Sequence, residues 1–209
     1  MKGPPMFIPI LATVVALAVV APPPSQPVSV IERAVSQISD IDWTLDEKRG
    51  GHCTGVQIGI RWILTAEHCL PPKDVNVDIT ANGTPVRVLK RSAELDLAIL
   101  ETPGDATNSI MEIRKSPPKL GEEVAAVGLG WGPGNEGRVI PPMVLRRSIA
   151  RIGANGYIYT DGSFIPGMSG GPLVDVDGKL IGVVRQGWDE IAIGGVIPAK
   201  AVRGFIDGK

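Results

Sequence analysis

Apolar and polar positions change their spacing at about residue 40. Before that point, Val30, Ile31, Ala34, Val35 and Ile38 recur at helical intervals, and Ser29 with Glu32 has the spacing of a capping box. The pattern predicts a short helix over residues 29–39. Beyond it the texture is that of strands. Runs rich in β-branched residues occupy 56–60 and 62–65, split by Arg61, and 75–80 alternates. Asn82-Gly83 is a hairpin turn pair leading into 86–89. Further short runs fall at 97–100, 124–127, 144–145, 157–159, 172–174 and 180–184, with a turn at Asp177-Gly178 between the last two. Regularly spaced short strands predict an all-β sandwich or barrel system, with Ser116-Pro117-Pro118 as the seam between two halves.

The first 27 residues stand apart. Lys2 precedes an uncharged apolar run from Met6 to Ala21, followed by Pro22-Pro23-Pro24. The run is short for a membrane span and fits the core of a secretory signal. Ala16-Leu17-Ala18 supplies a small-residue cleavage pattern, whereas Pro22 argues against a cut directly after Ala21. An uncleaved anchor, tethering the chain to a membrane through residues 6–21, is the alternative reading. Residues 22–27 read as a stiff linker. On either reading the folded part is secreted, periplasmic or otherwise extracytoplasmic.

Composition narrows the classes further. The 209 residues suffice for a sizeable core, and 26 glycines with 19 prolines agree with many turns. A net charge of −1 offers no general attraction to nucleic acid. Two cysteines, Cys53 and Cys69, in an exported domain suggest a disulfide, whose loop closure contributes roughly 3 kcal/mol. A tetrahedral metal site lacks ligands, since the chain has two Cys and two His in all. Asn82-Gly83-Thr84 fits a glycosylation acceptor, and 175–178 begins like a calcium loop without its later ligands; turn chemistry accounts for both.

The segment Gly167-Met168-Ser169-Gly170-Gly171-Pro172 sets three glycines around one serine. It fits Gly-x-Ser-x-Gly, but the α/β-hydrolase elbow requires a histidine after its serine, and here both histidines, His52 and His68, precede it. A Ser–His mechanism in this chain has its base before its nucleophile. Each histidine neighbours a cysteine, so position alone does not choose between them. Asp96, where polar residues give way to an apolar strand run, can orient an imidazole from a shielded site.

Taken in order, TAEHC (65–69), DLAIL (96–100) and GMSGGP (167–172) resemble the trypsin/chymotrypsin family of serine proteases, over roughly residues 45 to 205. HCTG (52–55), IGVV (181–184) and GVIPA (195–199) are similar to supporting strands of that family. The resemblance implies two six-stranded antiparallel β-barrels, one over 28–117 with the N-terminal segment and one over 118–209. It implies a His68–Asp96–Ser169 triad that hydrolyses peptide or protein substrates through an acyl-enzyme, with the N–H groups of Gly167 and Ser169 as the oxyanion hole and no cofactor. A catalytically silent homologue that binds partners is the alternative. Met168 stands where digestive members carry an aspartate for the freed N-terminus, so activity is expected without zymogen cleavage. Ser163, Phe164, Gly187 and Gly195 fall at substrate-pocket positions and imply an apolar P1 residue, small if Phe164 intrudes. Arg185 falls where the family usually has a small residue, and the sequence offers no account of it.

Overall fold

The computed structural model describes residues 29–46, 49–105, 109–130 and 141–208. The expected signal or anchor (1–21) and everything else before Ser29, linker included, lie outside the described residues. Among the described residues no helix is long and apolar enough to cross a membrane.

The opening helix, α1 (Val30–Ser36), starts as expected. Ser29 Oγ accepts from the Glu32 N–H at 3.1 Å, and the Glu32 carboxylate accepts from the Ser29 N–H at 2.8 Å. It ends three residues early, because Ile38 and Ile41 are needed as buried positions of a strand. That strand, β1 (Ile38–Asp46), continues into β2 (Arg49–Gly59), β3 (Trp62–Thr65), β4 (Ile79–Ala81), β5 (Thr84–Ser92) and β6 (Leu97–Glu101). All pair antiparallel, in the order 1-2-3-6-5-4, and β1 closes on β4 to form a barrel. Asn82 and Gly83, at φ 51° and 74°, supply the left-handed backbone that the tight β4–β5 turn requires. The alternation at 75–78 survives as half-buried Val75 and Val77, but β1 pairs β4 only from Ile79 to Ala81, so the strand is shorter than expected.

A second barrel repeats the plan: β7 (Glu123–Gly128), β8 (Met143–Ile152), β9 (Ile158–Thr160), β10 (Pro172–Val174), β11 (Leu180–Trp188) and β12 (Ile193–Pro198). Its order is 10-11-12-9-8-7, closed by β10 on β7. β8 is far longer than its two-residue apolar signal, because Arg146, Arg147 and Arg151 interrupt the apolar run while the backbone pairs throughout. A helix absent from the sequence expectation, α2 (Ala199–Asp207), follows β12 and buries Ala199, Val202 and Phe205.

Three apolar clusters hold this arrangement. Ile41, Ile63 and Leu100 fill the first barrel, and Val124, Ile149, Phe164, Leu173 and Ile181 fill the second. The third lies between them and joins Val56, Leu64 and Leu97 to Val127, Val174 and Val183, with Ala34 of α1 and Val202 and Phe205 of α2. Each such side chain contributes roughly 1.5–3 kcal/mol when fully buried. An apolar seam therefore fixes one barrel on the other, and any site built across it is built on a packed base.

Candidate active site

His68 sits on a single 3-10 turn, Glu67–Cys69, directly after β3. Two bonds pin that turn. Cys69 is disulfide-linked to Cys53 of β2, as expected, with Cα atoms 5.9 Å apart. The Glu67 carboxylate pairs with Arg91 of β5, whose Nη1 also donates to Pro71 O at 3.0 Å. Asp96 ends the turn before β6 with φ at +54°, a left-handed conformation that aspartate tolerates better than most side chains. Its Oδ1 accepts from the His68 backbone N–H at 2.9 Å, and its carboxylate accepts from His68 Nδ1 at 2.9–3.0 Å. Nδ1 facing a carboxylate carries the proton, which leaves Nε2 as the free lone pair that a base requires. Burial alone would raise the Asp96 carboxyl, but the His68 ring and backbone N–H groups and Arg185 hold it below the usual range. The aspartate is 8% exposed and the imidazole 46%, so the ring opens onto solvent while its partner does not.

Ser169 lies in the loop between β9 and β10 of the other barrel. Gly167 and Gly170 take φ of +92° and +83°, which explains two of the three glycines around it. Among the described residues, neither the Gly167 nor the Ser169 N–H donates to a backbone acceptor. Ser169 Oγ donates to Arg185 O of β11 at 2.9 Å. A hydroxyl has one proton, so the Ser169 proton points at that carbonyl and has to turn away from it before any transfer to His68. Arg185 Nε in turn donates to Asp96 Oδ2 at 2.9 Å. The structure thus links His68 to Asp96, Asp96 to Arg185, and Arg185 to Ser169.

Thr54 of β2, which sequence reasoning passed over, ties the serine loop to the first barrel. Its N–H donates to Ser169 O at 2.9 Å, and its Oγ1 donates to Gly167 O at 2.8 Å while accepting from Leu129 N at 2.8 Å. Fully buried, it fixes the peptides on both sides of the Ser169 N–H. Thr54→Val keeps the shape and the backbone bond but leaves Leu129 N–H and Gly167 O unpaired, each costing about 1–3 kcal/mol. We expect a kcat roughly 10- to 100-fold lower with little change in KM, because small displacements of reacting groups are costly. Thr54→Ser should stay near the parental rate; steady-state kinetics of the pair checks this.

His52 answers the question that position left open. Its Nδ1 lies 3.0 Å from Asp40 Oδ1 and 3.0 Å from Asp42 Oδ1, and its Nε2 is 3.3 Å from Leu129 O. Acceptors on both sides call for a ring protonated on both nitrogens, an imidazolium strut between the barrels and no base. The hydrogen bond with Asp40, then that with Asp42, outweighs burial and pushes its pKa up to about 9. Burial also pushes the Asp42 carboxyl up. A histidine whose folded value is raised stabilises fully below the unfolded value, roughly 6.5, and that stabilisation is lost as pH rises through about 9. His52→Gln should therefore flatten the fall in unfolding free energy between pH 7 and 9, measured by urea titration at several pH values. These three residues bring ligand-type atoms within 4.8 Å of one another, and here both carboxylates face the same His52 nitrogen as ion pairs.

Three of the four expected pocket positions lie together, since Gly187 packs against Ser163 and the Phe164 backbone, whereas Gly195 is turned away from them and the glycine opposite Gly187 is Gly194. A Cβ on Gly187 would stand 2.1 Å from Ser163 Oγ, so these two walls already touch. Gly195 faces Tyr157 Oη and the Trp188 ring. Phe164 is buried in the second barrel, its ring against Gly194.

The profile of the trypsin-like peptidase domain matches residues 53–183, and the chain belongs to that family. An uncharacterized peptidase of Corynebacterium glutamicum (strain R) is 26% identical over 154 residues, covering 66% of this chain and 54% of the relative. The chain thus spans about half the length of the curated relatives it matches. Among solved structures, the serine endoprotease of Yersinia pestis superposes with a TM-score of 0.72 at 21% identity, over 88% of this chain and 66% of that one. The Rv3671c protease of M. tuberculosis in its active form gives 0.69 at 22%, over 91% and 93%. These two likenesses establish the two-barrel fold.

Proposed function

We propose that this chain is a serine endopeptidase whose nucleophile is Ser169, base His68 and orienting acid Asp96. The observation that carries the reading is the His68–Asp96 pair, which leaves Nε2 as the acceptor on the side open to solvent. After rotation away from Arg185 O, Ser169 Oγ adds to a peptide carbonyl as His68 Nε2 takes its proton. The carbonyl oxygen becomes an oxyanion held by the Gly167 and Ser169 N–H groups. His68 then protonates the departing amine, leaving an ester on Ser169. Water, deprotonated by the same imidazole, hydrolyses the ester and restores the hydroxyl. Every step balances with water alone, so the reading requires no cofactor.

The contact of Ser163 with Gly187 supports a shallow P1 site, suited to small apolar side chains. Arg185 is committed to Asp96, which removes it as a counter-ion for an acidic P1 residue. A peptide library should be cut after alanine-sized residues and not after Arg, Lys or Phe; cleavage after Phe would show that the walls part on binding.

One observation favours a catalytically silent binding protein: the Ser169 hydroxyl is directed at Arg185 O. Labelling decides between the two. A fluorophosphonate should modify Ser169 in the parental protein and fail in Ser169→Ala and His68→Ala. An unlabelled parental chain would leave the silent reading standing.

A further inference from the structure

Arg185 touches both Asp96 and Ser169, through its guanidinium and its carbonyl respectively. It interrupts the fully buried run Leu180–Val184 of β11, where a charge has no packing role. We propose that Arg185 is a positioning residue for the reaction: its guanidinium shares the Asp96 carboxylate with the His68 ring, draws off part of the field that favours an imidazolium, and so keeps His68 available as a base at lower pH than a neutral side chain there would. The inference rests on the serine endopeptidase reading above.

The physical argument is short. In a peptidase triad the aspartate favours the charged form of the histidine. Here both donors, His68 Nδ1 and Arg185 Nε, lie 2.9 Å from the same oxygen, Asp96 Oδ2. A cation at that distance offsets part of the carboxylate charge that the imidazole experiences, and a nearby like charge disfavours the protonated ring. Arg185 is 42% exposed, so solvent and salt screen the effect without removing it, because Asp96 itself is buried. On the turn that carries His68, the charged Glu67 is paired with Arg91 of β5. Tyr157, ahead of β9, has its ring centroid 5.9 Å from Arg185 Cζ, and burial pushes its hydroxyl up. Tyr159 and Trp188 stack beyond it. Among the described residues Asp96 is the carboxylate paired with Arg185.

The chain has two histidines, which makes the test direct. In a Ser169→Ala background, proton NMR follows the His68 ring through a pH titration, with His52→Gln assigning the second set of signals. Arg185→Gln should move the His68 midpoint to higher pH by roughly half a unit or more, and Arg185→Lys, which keeps the charge, should stay closer to the parental value. With Ser169 restored, the acidic limb of the kcat/KM profile should move the same way. A midpoint that stays put or falls in Arg185→Gln overturns the proposal. Should that variant fail to fold, Arg185→Met keeps the stem and removes the charge, and the same outcomes apply. Because the NMR titration needs no turnover, it is read independently of the endopeptidase assignment, which phosphonate labelling of Ser169 decides.

Discussion

Ser169→Ala should lower kcat by about 10⁴- to 10⁶-fold with KM nearly unchanged, His68→Ala should do the same, and the double variant should be no worse than either. The equality follows from chemistry. A hydroxyl without a base attacks poorly, and a base without a hydroxyl has nothing to deprotonate, so the two side chains act as one unit. What survives is the contribution of oriented N–H donors and substrate binding. Asp96→Asn should lose comparably, about 10⁴-fold, since an amide that donates to Nδ1 leaves the ring in the wrong tautomer. Here that substitution also strips Arg185 of its partner. The assay is hydrolysis of a quenched-fluorescence peptide with a small apolar P1 residue. Parental rates from Ser169→Ala would place the nucleophile elsewhere and end the serine reading.

Among the described glycines, Gly170→Ala should be one of the most damaging single-methyl additions. Gly170 has φ of +83°, and a Cβ there would lie 2.2 Å from Thr54 O and 2.2 Å from Thr65 Oγ1. Neither neighbour can step aside. Thr65 Oγ1 is hydrogen-bonded to Thr54 O at 2.8 Å, and Gly170 N–H is bonded to Val184 O on the opposite side. The left-handed backbone costs roughly 1–2 kcal/mol for a residue with a Cβ, and overpacking a buried joint adds about 1–3 kcal/mol. Urea unfolding should show a loss of several kcal/mol, together with lost activity as the serine loop separates from β2. Gly83→Ala is the control. It shares a positive φ of 74° but has nothing within 4 Å of the added methyl, so it should lose only about 1 kcal/mol. A Gly170→Ala protein as stable as Gly83→Ala would refute the close approach between the barrels.

The two control features differ in how they could be read beforehand. Gly83 is half of an Asn-Gly pair, a local signal that needs no tertiary information. Gly170 belongs to a motif that marks a special serine, but the reason it must be glycine is the carbonyl of Thr54, more than a hundred positions earlier. The same distinction runs through the fold. The capping box of α1, the hairpin at 82–83 and the short apolar strands are legible because their causes lie within a few residues. β1 escaped notice although Ile41, Trp43 and Leu45 alternate with Asp40, Asp42 and Thr44, because the helical spacing before it masked the change. The helix α2 escaped because three apolar positions in nine residues are a faint signal until Val202 and Phe205 meet the seam between the barrels.

In the candidate site, motif order singled out His68, Asp96 and Ser169, and cysteine count suggested the Cys53–Cys69 bond. Thr54 carried no signal, since a threonine in a strand is ordinary and its partners are distant backbone atoms. Arg185 did carry one, a charge amid apolar residues, without saying what it faced.

By itself, then, the amino-acid order determined where strands and turns can form, which three motifs resemble those of a peptidase family, and that the cysteines could pair, since spacing and side-chain type decide these locally. Only the tertiary structure decided which histidine is a structural cation, which way the Ser169 hydroxyl points, and whose charge lies beside Asp96. Hydrogen bonds and charge pairs act over about 3 Å, and closing two barrels on one seam is what brings residues far apart in the chain within that distance.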